Sequence, residues 1–338
     1  MVLAVAVGVG ALVVLVLLSD GKELLRTAAN VAPAALALPM ALSVLSYAAM
    51  ARSYQGIANV AGRHLPYWSW LRITFVSNTA NYLVTSAGLS GFAVRMLLLS
   101  QQGVSSGRAV LISLVQTFLT NFTLLLFILA GMVSLVVRKH MGGLVLGVAV
   151  ATVVGFALML VFVLVLAIRP GLRRRTLLRL TVTVHALGRR FAPTWTPRRG
   201  RLGKFQHNLD QGFDFLLKRK ERMIVPTGWI LFDWVLTVGV LWAAFWAVNN
   251  PLPLSVVMMG FGVGLFCSLV SFIPGGLGIM EGSMTAVFVS LGVPMEPTVL
   301  AVLIFRLTYQ IIPLVVSLFL FHGLVRQSIR QLGSRARG

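Results

Sequence analysis

The sequence predicts an all-α fold: a polytopic integral membrane protein with about eight membrane helices, further Gly-broken half-helices or re-entrant segments, and an inverted repeat. Three observations predict it: the composition, the length of the apolar runs, and two Gly-rich stretches with a similar order of residues. Of 338 residues, 58% are hydrophobic and 11% are charged, whereas soluble domains are about 45–50% apolar and about 25% charged. This composition argues against a soluble enzyme, a nucleic-acid-binding protein and a disulfide scaffold.

Long apolar runs account for most of the predicted membrane helices. Crossing a hydrocarbon core of about 30 Å takes roughly 20 helical residues. The runs of sufficient length are 2–18, 31–51, 109–137, 143–168, 223–248, 254–273 and 298–324. Three shorter apolar runs, 73–87, 92–100 and 282–291, are better explained as half-helices or re-entrant segments. The first run lacks a basic flank and a clear cleavage site, so we expect an uncleaved helix.

Basic residues cluster outside these runs and predict the topology. The net charge is +21, and 15 of the 29 Lys and Arg residues lie in 169–222. The positive-inside rule therefore assigns 169–222 and the basic tail, 326–338, to the cytoplasm. The membrane-embedded parts are then an N-terminal half, 1–168, and a C-terminal half, 223–325. We expect the basic loop to contact anionic phospholipids of the inner leaflet rather than nucleic acid.

Two Gly-rich stretches share one pattern. The first reads Gly88-Leu-Ser-Gly91, reaches Arg95, and continues through Gly103 to a long apolar helix. The second reads Gly275-Gly-Leu-Gly278, reaches Glu281, and continues through Gly292 to another long apolar helix. In the topology above these two long helices run in opposite directions, as in the inverted repeats of many secondary transporters. Two unrelated loops in a chain with 32 glycines remain the alternative.

The second stretch carries a more specific resemblance. Phe272-Ile-Pro-Gly-Gly-Leu-Gly-Ile-Met-Glu281-Gly, followed by a helix that contains Arg306, resembles the second half of the flippase-like transmembrane family. That family is typified by the membrane part of lysylphosphatidylglycerol synthase. The stretch from Asn81 to Arg95 is similar to its first half, and the resemblance covers roughly residues 10–325. Gln116 departs from the pattern, since an acid–Arg pair is common there.

The resemblance implies that the protein moves a lipid between the leaflets of a bacterial or archaeal cytoplasmic membrane. In the synthase a soluble aminoacyl-transferase domain follows the membrane part. This sequence ends at Gly338 without one, so we expect a transporter rather than an enzyme.

Ionisable residues inside the predicted membrane helices are the candidates for a headgroup site or translocation path. They are Arg95, Asp233, Glu281 and Arg306. A charge at the helix centre costs roughly 2.5–3.5 kcal/mol even on the lenient insertion scale, so such residues face polar cavities or pair with one another. Glu281 and Arg306 have similar predicted depths and can form an ion pair, which either opens to a headgroup or serves as a static bridge. Arg95 either guides a phosphate or reaches the interface, and Asp233 either lines the path or sits shallow in an aromatic belt.

Backbone breaks are the second set of candidates. Glycine and proline interrupt the helices at Gly88, Gly91, Pro274, Gly275, Gly276 and Gly278. Backbone N–H groups freed by such breaks suit an anionic phosphate at the start of the next half-helix. Gly260 and Gly264, four positions apart, are expected to serve close helix packing.

These observations favour a lipid translocase that moves an anionic or polyprenyl-linked lipid. The alternatives are a non-catalytic accessory subunit of a lipid-modifying or glycosyl-transfer system, docked through the basic loop, a membrane-embedded lipid-modifying enzyme, and a solute transporter. We expect no cofactor and no metal site, because the five histidines lack ligand spacing and no Walker A motif is present.

Overall fold

The protein is an all-α, polytopic membrane protein, and no strand occurs among the residues that its computed structural model describes. Those residues are 20–83, 89–137, 220–270 and 276–320, with isolated positions between 147 and 176 and positions 218 and 273. Outside them lie the predicted segment 2–18, most of 143–168 and of the basic loop, and the basic tail.

Nine helices are described, in two groups. The first group comprises α1 (Gly21–Ala29), α2 (Ala37–Val60), α3 (Tyr67–Leu83), α4 (Leu89–Gln101) and α5 (Ser106–Val137). The second comprises α6 (Ile224–Ala247), α7 (Leu254–Val270), α8 (Ile279–Ser290) and α9 (Met295–Arg306). The last helix continues through a π-helical turn, Leu307–Ile311, to residue 320.

Helix length separates the spanning helices from the re-entrant ones. Residues 33–60, 106–127, 221–247 and 295–320 are long and apolar enough to cross a membrane. Helices α3, α4, α7 and α8 have 17, 13, 17 and 12 residues. At 1.5 Å per residue they measure about 18–26 Å, short of the hydrocarbon thickness of about 30 Å. We call α3–α4 the first hairpin and α7–α8 the second hairpin.

Each hairpin is an antiparallel pair of helices held by close contacts. In the first hairpin, the Ser90 hydroxyl donates to the Ala80 carbonyl oxygen at 2.9 Å. In the second, Met284 and Phe288 of α8 pack directly on Gly264 and Gly260 of α7, with no room for a Cβ at either glycine. The predicted packing role of these two glycines is confirmed.

The repeat predicted from the Gly-rich stretches extends over both halves. Helices α2 and α6 each have 24 residues, and α3 and α7 each have 17. Each pair is followed by a short helix and then a long one. The turn after each short helix is the same: Val104 N–H donates to the Leu99 carbonyl at 3.0 Å, and Val293 N–H donates to the Phe288 carbonyl at 3.1 Å. The preceding glycines, at 103 and 292, have φ angles of 71° and 82°, which explains why both are glycine.

The equivalent helices α2 and α6 pack against each other in opposite directions. Near the start of α2, Leu42 lies against Gly239, and near its end, Gly56 lies against the ring of Pro226. Partner numbers thus fall as the chain advances, so the axis relating the halves is perpendicular to both helices. The hairpins that follow α2 and α6 therefore enter the protein from opposite ends, which agrees with an inverted repeat.

Each half has its own hydrophobic cluster. In the N-terminal half, Ile57, Trp70 and Leu99 are fully buried in a cluster that joins α2 to the first hairpin. In the C-terminal half, Phe245 and Phe288 are fully buried in a cluster that joins α6 to the second hairpin. Because each cluster holds one hairpin to its own long helix, the two halves are separate packing units.

Two predictions of local structure are corrected. The run 31–51 was predicted to end before Arg52, but α2 continues to Val60, since Ile57 and Ala58 remain fully buried in the first cluster. Gly91 was predicted to lie in a helix break, but it is the third residue of α4. A side chain there would collide with the Ser77 carbonyl oxygen, so this glycine permits close packing rather than a break.

Candidate functional site

Glu281 and Arg306 form the predicted ion pair, through Arg306 Nε and Glu281 Oε1. Both are buried, with 1% and 5% of their surface exposed. Arg306 also donates from Nη1 to the side-chain oxygen of Gln310, one turn along in the π-helical turn. Glu281 lies in the first turn of α8, where the helix dipole favours a negative charge. The prediction that these two residues pair is confirmed.

Arg95 is buried without a carboxylate partner among the described residues. Only 6% of it is exposed. Its Nε and Nη2 both lie 3.3 Å from the Ser77 hydroxyl oxygen. Its guanidinium carbon lies 4.3 Å from the ring centroid of Tyr54, a cation–π contact. Arg95 therefore does not extend to the membrane surface, the alternative that the sequence left open.

Asp233 lies in the interface between α2 and α6 and is 4% exposed. The Ser46 hydroxyl donates to its Oδ1 at 2.5 Å. The Thr237 hydroxyl lies 3.0 Å from Ser46 Oγ and 3.0 Å from the Tyr309 hydroxyl. Its neighbour Trp234 is also buried, packed on aromatic rings of α5 and α7. The shallow, interfacial alternative for Asp233 is therefore wrong.

The described contacts connect these charges. Tyr309 and Gln310 are consecutive residues of the π-helical turn, so the hydroxyl group beside Asp233 and the amide beside Arg306 are held by one short segment. On the other side, Tyr54 lies within electrostatic range of both Arg95 and Asp233. The four predicted site residues thus belong to one polar region at the junction of the two halves.

This region lies well below the ends of both hairpins. Arg95 precedes the end of α4 by six residues, which corresponds to about 9 Å along the helix. Glu281 precedes the end of α8 by nine residues, or about 14 Å. Buried charge at such depth needs compensation by neighbouring groups.

The predicted breaks are partly described. Gly276 and Gly278 lie between α7 and α8, with φ angles of 62° and 77°. A side chain at Gly276 would also overlap Ser268. Gly88, Pro274 and Gly275 lie outside the described residues.

Sequence reasoning missed the uncharged members of the site. They are Ser46, Tyr54, Ser77, Thr237, Tyr309 and Gln310. Isolated hydroxyl groups in apolar helices are common and carry no periodic signal. For Ser46 one signal existed, since it precedes Asp233 by 187 positions, the offset between Gly91 and Gly278. In the described part of the chain, no group of three His, Cys, Asp or Glu side chains is placed to hold a metal ion.

Comparison with known proteins places this architecture in a family. Residues 1–317 match the model of the lysylphosphatidylglycerol synthase TM region. A phosphatidylglycerol lysyltransferase of Staphylococcus haemolyticus is 33% identical over 106 residues, which are 31% of this chain and 12% of that protein. The enzyme of the same name from Staphylococcus aureus strain COL is 31% identical over 88 residues, 26% of this chain and 10% of that protein. The matches thus cover a small share of these relatives. The chain belongs to the family of lysylphosphatidylglycerol synthase transmembrane regions.

Proposed function

We propose that the protein is a lipid translocase, which moves an anionic lipid between the leaflets of a bacterial or archaeal cytoplasmic membrane without chemically changing it. Membership of a lipid-related membrane family supports the substrate class. The observation that carries the proposal is Arg95, a buried cation that no described carboxylate neutralises.

An unneutralised guanidinium inside a membrane protein calls for an anion. Removing a charge from water costs several kcal/mol after relaxation, and a well-placed counter-charge offsets that cost. Tyr54 and Ser77 supply a π face and a hydroxyl group, which orient Arg95 without neutralising it. A guanidinium binds phosphate with paired hydrogen bonds. The phosphodiester of a lipid headgroup therefore has the charge and the shape that this site lacks.

The two hairpins supply a pathway of the right form. They enter from opposite ends, stop short of a full span, and bring polar side chains to the middle of the protein. Irregular backbone at such depth is tolerated only inside protein or beside a wet cavity. In the proposed cycle, the headgroup moves along this polar region while the acyl chains stay in the surrounding lipid.

In this proposal Glu281 competes with the lipid. It occupies Arg306 when no headgroup is bound at the second hairpin, as the described ion pair does. A phosphate that arrives from the Arg95 side displaces Glu281 from Arg306. Arg95 and Arg306 are then successive phosphate sites.

A vesicle assay tests the proposal. The purified protein is reconstituted with headgroup-labelled phosphatidylglycerol, and the labelled lipid that reaches the opposite leaflet is measured by its accessibility to a membrane-impermeant quencher. Losing a hydrogen bond to a charged group costs about 1.5–3 kcal/mol, so we expect Arg95→Gln to slow redistribution about 10- to 100-fold. Arg95→Lys retains the charge and should be intermediate.

The matched control is Arg108→Gln, because Arg108 is an exposed arginine at the start of α5. It should redistribute lipid as the unmodified protein does. Equal redistribution in protein-containing and empty vesicles, for phosphatidylglycerol and for a polyprenyl-linked lipid, contradicts the proposal.

The accessory-subunit alternative is favoured by one observation, the 15 basic residues of 169–222. Deletion of residues 193–201 separates the two functions. If a lipid-modifying or glycosyl-transferring enzyme no longer co-purifies and lipid movement is unchanged, the loop docks a partner. If lipid movement is lost instead, translocation is the function of the whole chain.

A further inference from the structure

We infer that Asp233 is a proton-binding site on the axis that relates the two halves, and that proton binding there is coupled to lipid movement. The proton site stands on the geometry of the described residues. The coupling rests on the proposed function, and the experiments below test the two parts separately.

Asp233 lies on the symmetry axis. It follows Ser46 by 187 positions, the offset between the equivalent helices α2 and α6, so both occupy the same place in their halves. Their side chains are hydrogen bonded at 2.5 Å. Two equivalent residues of an inverted repeat can touch only where the axis passes between them. The first half places a hydroxyl group there, and the second half places a carboxyl group.

The immediate neighbours of this carboxyl group are hydroxyl groups and not cations. In the described chain, the side chains nearest to it are those of Ser46, Thr237 and Tyr309, and no Lys, Arg or His forms an ion pair with it. A carboxylate with an arginine partner would stay ionised. A carboxyl group among hydroxyl groups, 4% exposed, has no partner that holds it in the charged state.

Titratable groups on the elements packed against α6 leave that conclusion unchanged. From α2 these are Tyr47 and Tyr54, from the π-helical turn Tyr309, from α9 Arg306, from α7 Cys267, and from α5 the exposed Arg108; Glu221 and Arg222, just before α6, are also exposed. The charge of Arg306 is taken up by Glu281. Arg95 acts on the neighbouring Tyr54.

The hydroxyl groups accommodate both protonation states. A hydroxyl group can donate one hydrogen bond and accept others. When Asp233 is ionised, Ser46 donates to it. When Asp233 is protonated, it donates to Ser46, whose own proton turns to Thr237, 3.0 Å away. Thr237 keeps its bond to the Asp233 carbonyl oxygen at 2.9 Å, and no polar atom of the chain loses its partner.

The location gives this proton a route to the rest of the site. Tyr309, at the end of the hydroxyl chain, is followed directly by Gln310, which holds Arg306. A change of one charge between α2 and α6 also alters the interface across which the halves move. Any difference in proton affinity between two arrangements of the halves shifts their populations by the same free energy, because coupling is reciprocal. A proton gradient is then an energy source for lipid movement.

Infrared spectroscopy of the full-length protein in lipid tests the proton site without any transport measurement. Protonated carboxyl groups have a carbonyl stretching band that carboxylates lack. We expect such a band to grow as the pH is lowered, to be missing in Asp233→Asn, and to remain in Glu281→Gln. Ser46→Ala, which changes only the partner, should move the pH at which the band is half developed. A titrating band that is unchanged in both Asp233→Asn and Ser46→Ala overturns the inference.

Vesicles with an imposed pH gradient test the coupling. Redistribution of labelled phosphatidylglycerol should respond to the direction of the gradient in the unmodified protein and should not respond in Asp233→Asn. Equal rates with and without the gradient in the unmodified protein overturn the coupling. A normal infrared titration without any lipid movement leaves the proton site standing and contradicts the proposed function instead.

Discussion

Arg95 and Glu281 lie on the returning helices of the two hairpins, carry opposite charges, and are both buried, yet only Glu281 has a charged partner among the described residues. The second hairpin is thereby neutral at its deepest charge, whereas the first is not. A repeat that is so regular in helix length is thus asymmetric in charge. The asymmetry gives an anionic headgroup a reason to bind first beside Arg95.

The ion pair of the second hairpin should be important for stability. Removing one partner of a buried pair costs about 3–5 kcal/mol, because the other charge stays buried and uncompensated. We expect Glu281→Gln to lower the thermal unfolding temperature in detergent clearly, and the double change of Glu281→Gln with Arg306→Gln to recover much of the loss. Glu296→Gln is the control, since Glu296 is half-buried at the start of α9. Equal effects of Glu281→Gln and Glu296→Gln would show that the pair does not stabilise the fold.

Arg95 should behave in the opposite way. Because no described carboxylate neutralises it, its removal abolishes a desolvation cost and loses one cation–π contact and two weak hydrogen bonds. We expect Arg95→Met to leave the unfolding temperature unchanged or to raise it, while lipid redistribution is lost. Such a trade of stability for function is typical of ligand sites. A loss of stability as large as that of Arg306→Met would assign Arg95 a structural role.

Gly91 should tolerate no side chain. A Cβ there would collide with the Ser77 carbonyl oxygen and with Asn81, whose Oδ1 accepts the Gly91 N–H at 2.7 Å. Overpacking of this kind costs about 1–3 kcal/mol. Gly282 in α8 is the matched control, because nothing lies within 4 Å of a Cβ there. We expect Gly91→Ala to be destabilising and Gly282→Ala to be neutral or to stabilise by up to about 1 kcal/mol. Thermal unfolding of both variants measures the difference, and equal unfolding temperatures would contradict the close contact.

Labelling of introduced cysteines tests the inverted topology. Ser100 and Ser290 are exposed and occupy the last turns of α4 and α8, where each hydroxyl donates to a carbonyl three residues earlier, at 2.7 Å in both cases. In a Cys267→Ala background, we expect Ser100→Cys and Ser290→Cys to react with an impermeant thiol reagent from opposite sides of sealed vesicles. Reaction of both from one side would contradict the inverted repeat. The position of Ser100 should be cytoplasmic if the positive-inside rule holds.

Much of the architecture follows from local features of the sequence. Apolar run length predicts the spanning helices, because a helix must match the hydrocarbon thickness. Gly103 and Gly292 indicate equivalent turns, since the φ angles required there favour glycine. The pairing of Glu281 with Arg306 was predictable, because two buried opposite charges at similar depth on consecutive segments stabilise each other.

Tertiary structure alone decided which uncharged residues complete the site. The contact between Ser46 and Asp233 depends on the antiparallel crossing of α2 and α6, and nothing in the neighbourhood of either residue specifies that crossing. The burial of Arg95 against Tyr54 likewise depends on how the first hairpin folds back against α2. Helices form from local periodicity and composition, whereas side chains far apart in sequence meet only when whole helices pack. The chain's residues therefore determine the membrane helices and their repeat, and packing between the two halves determines the polar site at their junction.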